Sequence, residues 1–535
     1  MRTFPLLLLC LIVSFTVVAQ PQVEQWGMFE VTLQGSDAGN PFIEVPLTAE
    51  FVHDDTTYTP DGFYDGDGTY KVRFMPDREG NWTYTTHSKR ADLDGKTGSF
   101  TCTAPSPNNH GPVQVRNQFH FGYADATPFY PFGTTIYEWA FTSPERQQQT
   151  IQTLQGSPFN KARFLAVPPY KGYYLEGPLK ITEFPFEGTS KADWDFSRFN
   201  PAYFQALEER VAELRDIGVQ ADLILFRPYD GGKWGFDQMD MATNQRFLRY
   251  VIARLGAYRN IWWSLANENS FIRHLTDEDW DVLFQTVQQH DPYQHLRSIH
   301  NAGRLYDYTK PWVTHVSLQY YNAVKVFGVS PLLRDIYQKP IVHDEINYEG
   351  NIERRWGQLS GEEMTYRFWV AYIGGAYATH GEAIEGGWLS LGGELTGESP
   401  SRIAFLKEIV EAGPPEGLEP LDHYYLTNVA GKYAQYYLFY FGKEQQKTWD
   451  FILTDEDLAP GMKFKVDVID TWNRTITPVD RVFEVEELDN YRFVDKHRAK
   501  VKLPNRPYMA LRIQRIDEAT QPSGKDTQRD EADEL

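Results

Sequence analysis

Between residues 112 and 413, apolar runs of strand length alternate with amphipathic stretches of helix length. Each strand–helix pair must bury the apolar face of its helix against a sheet, so a long succession of them leaves few architectures. KARFLAV (161–167) and VQADLILF (219–226) are nearly continuous apolar runs, as strands covered on both faces are. Asn200-Pro201 opens the helix between them; Phe204, Leu207, Val211 and Leu214 share one face, and Gly218 stops it. A second helix over about 244–255 leads into IWWSLANE (261–268). Thr276 with Asp279, and Ser360 with Glu363, have the spacing of capping boxes and open two more helices. FYPFGTT (129–135), RSIHN (297–301), VTHVSLQYY (313–321) and KPIVHDE (339–345) are further strands, with THGEAIEGGW (379–388) as the eighth-strand region. Repeated alternation of this kind predicts a (β/α)8 TIM barrel. A doubly wound sheet is the competing fold, but no glycine-rich phosphate loop follows the first strand.

Two blocks of different pattern flank the barrel. Over 24–104, short alternating segments such as MFEVTLQG, TYKVRFMPD and NWTYTTH are punctuated by Gly, Asp, Asn and Pro, which predicts an immunoglobulin-like N-terminal β-sandwich. Asp65-Gly66-Asp67-Gly68 resembles part of a calcium loop but lacks its closing bidentate Glu, so a hairpin turn is expected there. Over 421–516, YAQYYLFYFG, TWDFILTD, KFKVDVID and YMALRIQRI predict a C-terminal β-sandwich. The last residues, 517–535, are polar and without apolar periodicity, the pattern of a disordered tail.

At the other end, Arg2 precedes LLLLCLIVSFTVV and then Ala19-Gln20-Pro21. A basic start, a short apolar core and small residues before a break make 1–19 a signal peptide, so the chain is expected to be exported, to a periplasmic or extracellular location. That run is too short for a membrane span, and no other long apolar stretch follows. A lipoprotein site at Cys10 fits poorly, since the apolar region continues past it; removing the leader leaves Cys102 alone, with no disulfide to form. The net charge of −21 argues against nucleic acid and anionic membranes as partners. Aromatic residues make up 15% of the chain, enough to line sugar sites as well as cores, so a carbohydrate is the expected partner. The sequence sets no oligomeric state.

The apolar run Ile261–Ala266 ends in Asn267-Glu268. An ionised Glu is among the residues least often buried without a partner. Side chains at the C-terminal ends of barrel strands line the active site. Glu268, ending strand four, therefore belongs at the barrel mouth. Ile341-Val342 leads likewise into His343-Asp344-Glu345 at the end of strand seven. These strands face each other across a closed barrel, so the two carboxylates are placed to flank one bond. Glycoside hydrolysis requires such a pair: one protonates the leaving oxygen while the other attacks the anomeric carbon, with retention of configuration when they stand ~5–5.5 Å apart.

Asn-Glu ending strand four, with Glu ending strand seven, resembles the four-over-seven superfamily of retaining glycoside hydrolases, clan A. The resemblance implies Glu268 as acid/base, Glu345 as nucleophile, and Asn267 on the sugar hydroxyl beside the anomeric carbon. A closer likeness covers nearly the whole mature chain. QWGMFEV and YDGDGTYKVRFMP in the first sandwich, LFRPYDGGKWGFDQM, WWSLANE and DEINYEGN in the barrel, and the C-terminal β domain are similar to bacterial glycoside hydrolases related to the apiosidase-like barrels, whose flanking domains have no known function.

Other strand-end residues join the expected site. Arg163 on strand two is expected to support the nucleophile by a charge-assisted hydrogen bond, as the superfamily implies. Tyr229 and Asp230 after strand three, and His300 after strand five, are candidates for sugar hydroxyls. Tyr320 or Tyr321 after strand six stands where the superfamily places a tyrosine or histidine near the nucleophile. Trp388 is a candidate stacking platform, and Tyr137, Glu138 and Trp139 are expected to shape the pocket. Asp344 and Glu349 crowd Glu345, and Glu349 competes with it for the catalytic role. His300, His315, His343 and His380 near strand ends raise a metal hydrolase as a rival. Strand one carries no His-x-His and the chain no His-Glu-x-x-His, so no metal or other cofactor is expected. The other alternative is a non-catalytic carbohydrate-binding protein on a glycosidase scaffold; the presence of both carboxylates argues against it.

Overall fold

The computed structural model describes residues 20–169, 181–230, 232–384, 387–421, 426–455, 457–489 and 492–516. The expected signal peptide and the expected disordered tail both lie outside the described residues.

Eight parallel strands form the barrel: β1 (Phe132–Thr135), β2 (Lys161–Leu165), β3 (Gln220–Phe226), β4 (Ile261–Ala266), β5 (Arg297–Ser298), β6 (Val316–Gln319), β7 (Ile341–Glu345) and β8 (Tyr377–His380). Each pairs with its neighbours in chain order and β8 closes on β1; between β5 and β6 the contact is a single parallel bridge, His300 to Ser317. The outer helices are α1 (Pro144–Gln155), α2 (Pro201–Asp216), α3 (Met241–Leu255), α4 (Asp277–His290), α5 (Val329–Tyr337), α6 (Gly361–Ile373) and α7 (Ser399–Glu411). No helix lies in the connection from β5 to β6, residues 299–315. None of the described helices is long and apolar enough to cross a membrane.

Helix starts follow the expected chemistry, with one difference. Asn200 accepts from the Ala202 N–H to open α2, and Thr276 with Asp279 forms a full capping box on α4. At α6 only half of the box forms. Ser360 accepts from the Glu363 N–H, but the Glu363 carboxylate turns to Arg367 (2.9 Å) and to Lys443 of the C-terminal domain (2.6 Å). The expected first strand is also divided. Pro128–Phe129 joins His120–Tyr123 and Val113–Arg116 in a small antiparallel sheet beneath the barrel. There Phe121 packs on Trp262, His315 and Tyr377, stopping the N-terminal end.

A five-stranded and a three-stranded sheet make the N-terminal sandwich, packed around Phe51, Tyr70, Phe74, Trp82 and Phe100. The Asp65–Gly68 segment is the expected hairpin turn, with Gly66 at φ +90° and Gly68 at φ +72°. Its acid has a structural task. Asp65 binds Arg254 of α3 (2.7 Å), Lys71 (2.9 Å) and Gln205 of α2 (3.1 Å). Beside it Arg73 reaches Glu208 of α2 (2.7 Å), which also holds Arg254 (2.6 Å). The C-terminal domain is one antiparallel sheet of eight strands that bends back on itself through the long strand Thr475–Asp489, with a two-stranded ribbon at its side. Tyr440 of that sheet packs on Trp369 of α6, 4.9 Å between centroids, and the barrel core continues into this domain through Leu438, Tyr440 and Ile469.

Removing one member of a buried ion pair costs about 3–5 kcal/mol because its partners stay desolvated. Glu208→Ala, which strips a carboxylate from both Arg73 and Arg254, is expected to lower the first thermal unfolding transition by several degrees. An unchanged transition in calorimetry would show that this network does not brace the sandwich on the barrel.

Candidate active site

The interior of the barrel is charged rather than apolar. Lys161 on β2 lies 2.6 Å from Asp222 of β3 and 2.7 Å from Asp344 of β7; Arg163 lies 3.1 and 3.3 Å from the same two carboxylates. Both cations touch both anions, and all four side chains are buried. Burial works against the charged form of Asp344, but Lys161 and Arg163 hold its carboxyl far below the usual range. Ser317 of β6 and Thr379 of β8 also donate to Asp344, at 2.5 and 2.7 Å.

The upper arm of Arg163 leaves this cluster and donates to Asn267 Oδ1 at 3.0 Å. The Asn267 amide in turn donates to the Tyr229 hydroxyl at 3.3 Å. Glu268 follows in the left-handed region, φ +47° and ψ +50°, a conformation that costs a non-glycine residue about 1–3 kcal/mol. This turn ends the strand and puts the carboxyl into a cavity of about 1120 Å³ at the mouth of the barrel. Glu345 lines the same cavity from β7. Its Oε1 accepts from the Tyr137 hydroxyl at 2.5 Å and lies 3.6 Å from His300 Nε2, while its Oε2 accepts from Gln319 Nε2 at 2.8 Å. The Tyr137 hydroxyl also lies 3.2 Å from that of Tyr348. Gln319 and Glu268 line the same cavity.

The two acids are held in opposite protonation states. Burial, and then the negative charge of Glu345, pushes the Glu268 carboxyl up to about 8. Burial opposes ionisation of Glu345 too, yet His300, Tyr137 and Arg163 more than offset it and hold this carboxyl below its ordinary value. At neutral pH one carboxyl has a proton to give and the other a lone pair, as general acid and nucleophile require.

Several expected site residues stand elsewhere. Arg163 does not touch Glu345; it is wholly buried and acts through Asn267 and Asp344. Asp230 is turned away from the cavity and ties its own loop, accepting from the N–H groups of Gly232 (2.6 Å) and Phe236 (2.9 Å). His300 is buried under the floor between Ser317 and Glu345, where it can position the carboxylate but cannot reach a sugar. Trp388 is no platform: it is 1% exposed, and its indole N–H is spent on Thr134 of β1. Trp139 is likewise core, whereas Tyr137, Glu138, Tyr229, Asn267 and Tyr320 line the cavity, with Tyr320 52% exposed at the rim. Glu349 caps α7, accepting from the N–H groups of Glu398 and Ser399, and is not a competing acid. The four histidines are dispersed. His315 packs on Trp262, His343 bonds Ser330 of α5 and His380 stacks on Phe159, each away from His300. Among the described residues no three His, Cys, Asp or Glu side chains gather as a cation site.

The sequence reading passed over Gln319, Tyr348 and Trp356, which also line the cavity. For Gln319 a signal existed. His315, Ser317 and Gln319 alternate along one face of β6, so a period-two count from Ser317 lands on Gln319 rather than on Tyr320. A register shift between Ser317 and Gln319 then sets Gln319 opposite Glu345.

A carbon-13 titration of the Glu268 carboxyl is expected to have its midpoint near pH 8. In Glu345→Gln the midpoint falls, because the negative neighbour is gone, but it stays above the ordinary carboxyl value because burial is the larger cause. An ordinary midpoint in the unaltered protein contradicts this account.

Residues 116–382 match the family model described as the apiosidase-like catalytic domain; 22–89 and 425–514 match the domains of unknown function DUF5060 and DUF5605. No curated protein matches the sequence. Among solved structures, a "putative glycoside hydrolase" from Bacteroides vulgatus ATCC 8482 is similar at 40% identity and TM-score 0.89, over 93% of this chain and 100% of that one. A glycoside hydrolase family 5 protein from the same organism shares the fold at 12% identity and TM-score 0.56, covering 77% of this chain and 94% of that chain. The chain therefore belongs to the apiosidase-like family of glycoside hydrolases, with its barrel set between the two flanking domains that these matches identify.

Proposed function

We propose that this glycoside hydrolase is exported and cleaves an O-glycosidic bond of an oligo- or polysaccharide with retention of configuration, using Glu268 as acid/base and Glu345 as nucleophile. The observation that carries this reading is the pair of carboxyls lining one cavity at the barrel mouth, the Glu268 carboxyl pushed up and the Glu345 carboxyl held down by their surroundings.

In the first step Glu345 forms a bond to the anomeric carbon as the glycosidic C–O bond breaks, and Glu268 gives its proton to the departing oxygen. Esterification removes the charge of Glu345, and with it one of the two causes that raise the Glu268 carboxyl. Glu268, now ionised, takes a proton from water as that water attacks the glycosyl ester, and both carboxyls return to their starting states. Tyr137 remains protonated throughout, since burial and then Glu345 push its hydroxyl well above the usual phenol range. It can therefore keep donating to the carboxylate. In this reading Asn267, which Arg163 and Tyr229 hold by hydrogen bonds, binds the hydroxyl beside the reacting carbon.

Glu345→Ala is expected to be nearly inactive on every substrate, with azide rescue giving a glycosyl azide of inverted configuration. Glu268→Ala is expected to lose ~10²–10⁴-fold on natural glycosides and far less on aryl glycosides with acidic phenols. Azide on that variant gives a product of retained configuration. Near-normal rates in both variants on a natural glycoside would remove the assignment, and reversed azide stereochemistry would exchange the roles. For export, mass spectrometry of the protein from its native host is expected to find a first residue near Gln20; an intact Met1 stands against it.

A further inference from the structure

We propose that His300 carries a proton on both ring nitrogens and, as the fixed counter-ion of Glu345, speeds release of the sugar from the glycosyl ester. This rests on the retaining reading above and assigns a positioning residue within it, one that acts through Glu345. Hydrogen-bond direction places the protons. Burial works against an ionised Asp344, but Lys161 and Arg163 hold its carboxyl far below the usual range, so it has no proton to give. Ser317 therefore spends its hydroxyl hydrogen on Asp344 Oδ2, at 2.5 Å. What Ser317 Oγ presents to His300 Nδ1, 3.1 Å away, is a lone pair, so Nδ1 carries a hydrogen. On the other side Nε2 lies 3.6 Å from Glu345 Oε1, an ion-pair separation rather than a hydrogen bond, and has no hydrogen-bond partner among the described residues. Either neutral tautomer sets a bare nitrogen against lone pairs, those of Ser317 in one case and of the Glu345 carboxylate in the other. Only the doubly protonated ring avoids both.

The count of charges agrees. Lys161 and Arg163 balance Asp222 and Asp344. Glu345 is then left with no lysine or arginine in ion-pair range among the described residues, and its donors Tyr137 and Gln319 are neutral. The place of His300 is fixed: it is wholly buried, its N–H donates to the Ala266 carbonyl at 2.9 Å, and its carbonyl accepts from the Asn269 N–H at 2.9 Å. When Glu345 becomes an ester its charge is lost, while that of His300 stays. In the second step the bond from the anomeric carbon to Glu345 breaks, its electron pair returns to the carboxylate, and water adds as Glu268 takes its proton. His300 neither gives nor receives a proton. Its charge favours carboxylate over ester, so it speeds this step and restrains the first.

The charge is read by neutron diffraction from the perdeuterated full chain, crystallised at neutral pH. Deuterium is expected on both nitrogens of His300; one bare nitrogen overturns the proposal. The role is read by kinetics on an aryl glycoside with an acidic phenol. His300→Gln is expected to lower kcat at least about tenfold, the scale of one charge-assisted contact, with KM falling in step and kcat/KM unchanged or raised. A burst of one phenol per active site, and a glycosyl adduct in the mass spectrum of the quenched variant, accompany the loss. A histidine that merely held Glu345 in place would lower kcat/KM, with no burst and no adduct; that result overturns the proposal and leaves the glycosidase reading in place. If the variant does not fold, the neutron result decides. Products of inverted configuration from the unaltered enzyme would instead remove the retaining reading, and this role with it.

Discussion

Two lysine and arginine cations and two aspartates share the inside of this barrel, where most barrels pack branched aliphatic side chains. Their desolvation is costly, and only mutual contact offsets it: Lys161 and Arg163 each touch both Asp222 and Asp344. Because the four come from β2, β3 and β7, closing the cluster fixes the relative heights of those strands. Everything above it inherits that register. Arg163 carries it to Asn267 on β4, and Asp344 carries it to the adjacent Glu345. The two acids at the mouth are therefore placed by a charge network that no substrate touches.

That arrangement explains how two glutamates in one cavity take different protonation states. Glu345 looks down toward positive and hydrogen-bonding groups: His300, the Tyr137 hydroxyl and, further off, Arg163. Glu268 is turned by its left-handed backbone away from the strand and meets burial and the charge of Glu345. The same environment that keeps one carboxyl ionised raises the other through its charge. Support from outside is equally physical. The sandwich is fastened to α2 and α3 by Asp65, Arg73, Glu208 and Arg254, and the C-terminal sheet to α6 by Tyr440 on Trp369. Of these helices, α2 packs on β3 and α6 on β8 of the barrel.

The strand–helix alternation was readable because parallel strands buried on both faces leave unbroken apolar runs, and helix caps leave paired polar residues at fixed spacing. Glu268 and Glu345 were readable because each interrupts such a run where a strand must end. What side chains do once there was less legible. Trp388 has the right residue type for sugar contact and Arg163 for supporting the nucleophile, yet Thr134 engages one and Asn267 and two aspartates the other, partners far away in sequence. Glu349 looked like an acid beside the nucleophile, and only the approach of α7 reveals it as a cap. Gln319 was within reach of a period-two count, but its place opposite Glu345 depends on a register shift that no local pattern announces.

The central claim is that Glu345, and not a neighbouring carboxylate, forms the bond to sugar. The most direct measurement is the site of covalent labelling by a 2-deoxy-2-fluoro glycoside of the sugar this enzyme releases, followed by peptide mapping. The account predicts one stoichiometric adduct on Glu345, formed in Glu268→Gln as well when the leaving group is an acidic phenol. An adduct on Glu268, Asp344 or Glu349, or turnover with inversion and no adduct, would contradict it.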